Sequence, residues 1–104
     1  MNDKRSSTPV VVAAHGELDS DTLAPVERAL TEAAASHAGV VFDASGLAFA
    51  DSSVLSMLLR VHALTELRIA APQRQLLRLL EMTGADQLLT LCPSVENAIG
   101  KHAA

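Results

Sequence analysis

The sequence predicts a small single-domain α/β fold in which a mixed, mostly parallel sheet of about four strands is packed with about four helices. Its 104 residues leave room for one domain. Short β-branched runs alternate with segments whose apolar residues recur at three- and four-residue steps, and this alternation favours parallel strands joined by right-handed crossovers. We expect residues 1–7 to form a flexible N-terminal tail and residues 8–102 to form the domain.

The first strand and the first helix are predicted from adjoining segments. Val10–Ala14 is a continuous apolar run, typical of a strand that is covered on both faces. Leu23–His37 has the spacing of an amphipathic helix, and Ser20 or Asp21 can cap its first turn. Gly39 is expected to end that helix.

The second strand and the second helix follow. Val40–Phe42 is predicted to be a strand, which the turn residues Asp43–Gly46 interrupt before Leu47–Phe49 continues the chain. An apolar-rich helix is then expected over Ser52–Thr65, with its start at Asp51 or at the serine that follows.

The last third of the chain repeats the alternation. Leu67–Ala70 predicts a third strand, and Pro72 suits the first position of the next helix, which Gly84 ends. Leu88–Leu91 can form a final edge strand. Ser94 is placed to cap a short terminal helix.

Composition excludes several classes of function. Twelve acidic and eight basic residues give a net charge of −4, so the chain lacks the basic surface expected for binding nucleic acid or anionic lipid. With 2% aromatic residues it also lacks platforms for stacking bases. The single Cys92 can form neither an internal disulfide nor a thiolate zinc site, which suits a reducing, cytoplasmic setting. No apolar run approaches about 18 residues, so we expect no membrane insertion.

The helix predicted over Ser52–Thr65 carries more apolar surface than one-sided packing requires. Its apolar positions cover roughly 220° of the helix circumference, about twice the usual stripe. One interpretation is a helix packed between the sheet and neighbouring helices. The other is that Val54, Met57 and Val61 help to form a partner-binding face.

Acidic residues gather where the first two strands end. Glu17, Asp19 and Asp21 follow the first strand, and Asp43 and Asp51 follow the second, so a parallel sheet would bring them to one edge. Three interpretations are open: a Mg²⁺ site for phosphoryl chemistry, a surface for a basic partner, or solvated turns with helix caps. The central part of the chain contains no lysine, which argues against phosphoryl chemistry, and we expect no metal.

The triplet Asp51-Ser52-Ser53 lies at the predicted start of the second helix. By default such hydroxyls cap the helix by accepting hydrogen bonds from free backbone amides. A phosphate at the same place would add a charge of about −1.5 to −2 and change the potential of the surrounding surface.

Several of these segments together resemble the STAS domain family, and within it the stand-alone anti-sigma factor antagonists. The resemblance extends from about Val10 to Ile99. It is carried by motifs in a specific order and spacing, namely Gly16-Glu17-Leu18-Asp19, Val40–Leu47, Phe49-Ala50-Asp51-Ser52-Ser53, and Leu76 and Leu79 with Met82-Thr83-Gly84.

The resemblance implies a bacterial cytoplasmic protein without catalytic activity or cofactor. Such an antagonist binds an anti-sigma factor of the serine kinase type, frees a sigma factor, and lets its partner go when it is phosphorylated. The family's acceptor serine falls on Ser52, and a PP2C-type phosphatase removes the phosphate. We expect a monomer or weak dimer whose partner-binding residues are Asp19, Asp51, Ser52, Ser53, Val54 and Met57.

Val54 departs from the family pattern, which usually has glycine at this position. A rival hypothesis is therefore a STAS scaffold that is not phosphorylated, such as the small cytoplasmic subunit of a lipid-transporting ABC complex. In a second rival, Ser52 is a nucleophile with His15 or His62 as its base, but Ser52 does not lie in a Gly-x-Ser-x-Gly elbow.

Overall fold

Strands and helices alternate throughout the computed structural model, which describes residues 8–103. The predicted tail over residues 1–7 lies outside the described residues. The described elements are β1 (Val10–Leu18), α1 (Leu23–Ser36), β2 (Gly39–Ala50), α2 (Ser52–His62), β3 (Glu66–Ala70), α3 (Arg74–Thr83), a 3₁₀ turn (Ala85–Gln87), β4 (Thr90–Cys92) and α4 (Val95–Ala103).

The four strands of the described chain form one sheet in the order β1-β2-β3-β4. Each neighbouring pair is parallel. The predicted α/β class is confirmed, and so are the four strands and four helices. The sheet is wholly parallel over the described residues, whereas we predicted a mixed one. Because all four strands run the same way, their carboxyl ends meet at one edge, which we call the carboxyl edge, and the opposite edge is the amino edge.

The main core lies between one face of the sheet and helices α1 to α3. Alternate strand residues such as Phe42 and Ile69 are completely buried on this face and meet Leu30, Leu58 and Leu80 from the helices. The core is aliphatic apart from Phe42, as the composition predicts. An ion pair also joins two of the helices at the surface, because the guanidinium of Arg60 donates two hydrogen bonds of 2.9 and 2.8 Å to the carboxylate of Glu27.

A smaller cluster covers the other face of the sheet. Val41, Ala70 and Cys92 are buried there beneath Ala98 of α4, with Val95 packed against them. Burial accounts for Cys92 as a small packed residue, as we predicted.

The break predicted in the second strand is wrong. β2 continues from Gly39 to Ala50 beside β1, and β1 itself reaches Leu18. The pairing shifts twice along this ladder, so that β2 accommodates its extra residues as β-bulges rather than as a turn. Gly46 packs closely against β1 in this register, because a Cβ at this position would lie 2.3 Å from Nδ1 of the His15 side chain.

Some helix boundaries lie where the sequence predicted them, and others do not. Gly84 ends α3 with a φ of 79°, in the left-handed region that favours glycine. The hydroxyl of Ser94 accepts a 3.0 Å hydrogen bond from the amide of Asn97, as expected of a cap. The position predicted for Pro72 is wrong, because α3 begins at Arg74 and the proline lies before its cap.

Candidate functional site

The carboxyl edge joins the β1–α1 loop to the start of α2. Leu18 pairs with Ala50 at the end of the β1–β2 ladder. The amide of Asp51 donates a 3.3 Å hydrogen bond to the carbonyl of Leu18. The Ser53 hydroxyl, and to a smaller extent the backbone amide of Ser20, lower the pKa of the Asp51 carboxylate. The two acidic loops are therefore held against each other, as the sequence predicts.

Asp19 organises the β1–α1 loop. One of its carboxylate oxygens accepts hydrogen bonds from the backbone amides of Asp21 at 2.9 Å and Thr22 at 3.1 Å, and from the Thr22 hydroxyl at 3.1 Å. The Thr22 hydroxyl also accepts a 3.0 Å bond from the Asp19 amide. The cap predicted at Ser20 or Asp21 is wrong, because Thr22 precedes α1 and Asp19 satisfies the amides of this turn.

The predicted start of α2 is confirmed, because the helix begins at Ser52. The default expectation that the serine hydroxyls cap it is wrong, because the N-cap is the carboxylate of Asp51. This carboxylate accepts a 2.9 Å hydrogen bond from the Ser53 amide and a second bond from the Ser53 hydroxyl. The hydroxyl bond is the main reason why the pKa of Asp51 lies below its ordinary value. The carboxylate is therefore ionised at neutral pH and holds the start of α2 in a fixed conformation.

The two adjacent serines have different environments. The Ser53 side chain is half-buried and its hydroxyl is bonded to Asp51. Ser52, the first residue of α2, is exposed, and its hydroxyl makes no hydrogen bond within the described residues. Chemically, Ser52 offers a solvent-facing hydroxyl at the positive end of a helix, where an added anion is stabilised.

Gln75 is a positioning residue that sequence reasoning missed. From the first turn of α3 its side chain clamps Ala50, the last residue of β2. The Ala50 amide donates to Oε1 at 2.8 Å, and Nε2 donates to the Ala50 carbonyl at 2.8 Å. This clamp fixes the backbone immediately before Asp51. No local sequence signal indicates it, because the partners lie 25 residues apart.

The expectation that Val54 and Met57 contribute side chains to an exposed partner-facing surface is wrong. Their exposed fractions are both 0%, and that of Val61 is 1%. The packed-helix interpretation is confirmed, because α2 contacts α1, β2 and β3 and buries these side chains in the main core. Val54 points beneath the surface, so its branched side chain does not cover the hydroxyl of Ser52.

The acidic residues of the carboxyl edge stabilise the turns in which they lie. Asp19 and Asp51 are both engaged by amides of their own turns, as the interpretation of capped turns predicts. Among residues 8–100, no group of three or more His, Cys, Asp or Glu side chains is arranged to hold a metal ion. None of the helices that the structure describes has the length and apolar character needed to cross a bilayer.

A family profile described as "Mlab, STAS domain" matches residues 1–91. The chain belongs to the STAS domain family. The fold agrees with this. The structure of an anti-sigma factor antagonist from Mycobacterium paratuberculosis is 27% identical and superposes with a TM-score of 0.83. The match covers 91% of this chain and 86% of the antagonist's chain. The search of curated protein sequences found no significant match to this chain.

Two more distant structures share the fold alone. An anti-sigma-factor antagonist (STAS) domain protein from Planctomyces limnophilus is 14% identical, with a TM-score of 0.84 and 96% of this chain and 95% of that one covered. The Bacillus cell fate determinant SpoIIAA, in its phosphorylated form, is 17% identical, with a TM-score of 0.70 and 92% of each chain covered.

Proposed function

We propose that this STAS domain is an anti-sigma factor antagonist that works without catalysing a reaction. It binds an anti-sigma factor of the serine kinase type in the bacterial cytoplasm and so releases a sigma factor for transcription. Phosphorylation of Ser52 ends the binding. The observation that carries the proposal is the environment of this residue: an exposed hydroxyl with no hydrogen-bond partner in the described part of the chain, directly beside Ser53, whose hydroxyl is bonded to Asp51.

The difference between the two serines supports Ser52 as the acceptor. A kinase must place the γ-phosphorus of ATP against the hydroxyl oxygen, which then forms a bond to phosphorus while ADP leaves and the hydroxyl proton is lost. Ser52 is accessible for this step, whereas Ser53 would first have to give up its bond to Asp51. Val54 leaves Ser52 accessible because its side chain is buried in the core.

Phosphorylation at this position would change the charge of the docking surface more than its shape. The phosphate would add about −1.5 to −2 to an edge that already carries the carboxylates of Asp19 and Asp51. The N-terminus of α2 would stabilise the phosphate locally. A partner that packs against this edge would have to strip water from a doubly charged group, and this desolvation cost would make it dissociate. The same exposure would let a PP2C-type phosphatase remove the group.

The burial of α2 divides the predicted partner-binding residues into two groups. Asp19, Asp51, Ser52 and Ser53 lie at the carboxyl edge and can contact a partner. Val54 and Met57 are buried and support that surface from below.

The test is a titration of the purified serine-kinase-type anti-sigma factors encoded in the same genome. We expect Ser52→Glu to weaken binding by about tenfold or more, or 1.4 kcal/mol, and Ser52→Ala to keep it. Ser36→Glu is the matched control, because it adds the same charge at an exposed serine at the end of α1, on the amino edge. Equal affinity for Ser52→Glu and Ser52→Ala would refute the switch.

A second candidate function is a STAS scaffold that is not phosphorylated, such as the small subunit of a lipid-transporting ABC complex. The departure of Val54 from the family glycine favours it, because a stiff branched residue replaces the most adaptable one directly after the two serines. Stoichiometric copurification with an ATPase, rather than with a serine kinase, would support this function over the first.

A further inference from the structure

Phe49 is exposed, although the chain has few aromatic side chains that could fill its core. The sequence contains two phenylalanines and no tryptophan or tyrosine. Phe42 is fully buried in the main core, whereas 44% of the surface of Phe49 is exposed to solvent. Leaving a phenylalanine side chain in water forgoes burial of the largest apolar group this chain possesses.

A β-bulge directs Phe49 outward. Gly16 pairs with Leu47 and the next residue, Glu17, pairs with Phe49, so Ala48 is an extra residue in β2. In a regular strand, residues two apart share a face, and Phe49 would lie on the buried side with Leu47. The extra residue shifts the alternation of side chains between the two faces of the strand, so that Leu47 and Ala50 are both buried while Phe49 faces solvent. Bulges of this kind commonly re-aim a side chain beside a functional site.

The surroundings of the ring are acidic and held in place. Glu17 is its direct neighbour in the ladder, and Asp51 follows two residues later at the carboxyl edge. Gln75 clamps the backbone of Ala50, so the residue next to Phe49 cannot move freely. Aromatic side chains lose little conformational entropy on burial and are enriched among binding hot spots.

We propose that Phe49 anchors the docking surface at the carboxyl edge, and that its partner is a protein with an apolar pocket for the ring, rimmed by lysine or arginine. The partner is the same serine-kinase-type anti-sigma factor, so this inference rests on the proposed function. The apolar pocket follows from the ring, and the basic rim follows from charge complementarity with Glu17, Asp19 and Asp51. A rim arginine can also lie over the ring face.

The acidic surroundings argue against two other occupants of this surface. A second copy of the same edge would bring like charges together, and an anionic membrane would be repelled. A basic protein surface is the occupant that gains from both the ring and the carboxylates.

The experiment compares Phe49→Ala and Phe49→Arg with the wild type in titrations of the purified serine-kinase-type anti-sigma factors, at two salt concentrations. We expect Phe49→Ala to weaken binding by about tenfold or more, and Phe49→Arg to weaken it further because it opposes the basic rim. Leu88→Ala is the matched control, because this side chain is 64% exposed just before β4, on the amino edge, and its loss should leave affinity unchanged. Wild-type affinity should also fall at the higher salt concentration.

Different results of these titrations would refute the Phe49 anchor and the proposed function. Wild-type affinity in both Phe49 variants, with Ser52→Glu still dissociating the complex, would overturn the anchor and leave the function standing. Binding that survives Ser52→Glu, but is lost in the Phe49 variants, would support the anchor and overturn the switch. An affinity that does not change with salt would overturn the basic rim.

Discussion

Replacement of Gln75 by alanine tests whether the clamp on Ala50 holds the site in place. The variant loses two hydrogen bonds of 2.8 Å between the α3 side chain and the β2 backbone. Each such bond contributes about 0.5 to 1.5 kcal/mol net, so we expect the free energy of unfolding to fall by about 1 to 3 kcal/mol. For a small domain whose total stability is about 5 to 15 kcal/mol, this loss is large.

Urea unfolding followed by far-ultraviolet circular dichroism measures the loss, because the chain has no tryptophan or tyrosine for fluorescence. With a urea dependence of about 1 to 3 kcal/mol per molar, the midpoint should move down by about 1 M. Arg74→Ala is the control, because this neighbouring side chain is exposed and its removal should change stability by less than about 0.5 kcal/mol.

Hydrogen exchange gives a second, local readout of the same variant. The Ala50 amide donates directly to Gln75, so its exchange should accelerate more than that of amides in the centre of β2. An unchanged urea midpoint together with an unchanged exchange rate at Ala50 would refute the claim that Gln75 positions the site.

Three further changes test the core, the bulged ladder and the cap. Met57→Ala should destabilise the domain by about 2 to 5 kcal/mol in a thermal melt, because its side chain is fully buried, whereas the 75% exposed Met82→Ala should have little effect. Gly46→Ala should destabilise by about 1 to 3 kcal/mol, because its Cβ would lie 2.3 Å from the ring of His15, and a second His15→Ala replacement should recover part of the loss in a double-mutant cycle. Because the pKa of Asp51 is lowered from 3.8 in the folded protein, its ionised form stabilises the domain above that pH, and this contribution is lost as the pH falls through the lowered value. Asp51→Asn should therefore show a smaller decline in stability between about pH 5 and pH 2 than the wild type, and equal declines would show that this carboxylate is not linked to folding.

Features that depend on a few adjacent residues could be predicted from the sequence. The start of α2 is an example, because the cap and the amide it satisfies lie within Asp51-Ser52-Ser53. The end of α3 at Gly84 is another, because a left-handed residue after a helix favours glycine whatever packs around it. The alternation of elements likewise predicted the fold class.

Features that depend on distant partners could not be predicted. The continuity of β2 requires β1 beside it, since the segment with Gly46 has the composition of a turn and becomes a strand only by pairing in a shifted register. Met57 lies on an apolar helix face, and periodicity does not tell whether other elements cover that face; here α2 packs against α1, β2 and β3, and Met57 is fully buried. Gln75 contacts a backbone 25 residues away, so no local pattern could place it in the site.

The central claim is that charge added at Ser52 controls docking at the carboxyl edge. Mass-spectrometric mapping of phosphate on the intact protein, isolated from the cells that encode it, tests this claim most directly. We expect a population that carries one phosphate on Ser52, with Ser53 unmodified because its hydroxyl is bonded to Asp51. Phosphate on Ser53 in place of Ser52, or phosphate on Ser52 of protein that is still bound to its serine-kinase-type anti-sigma factor, would contradict the account.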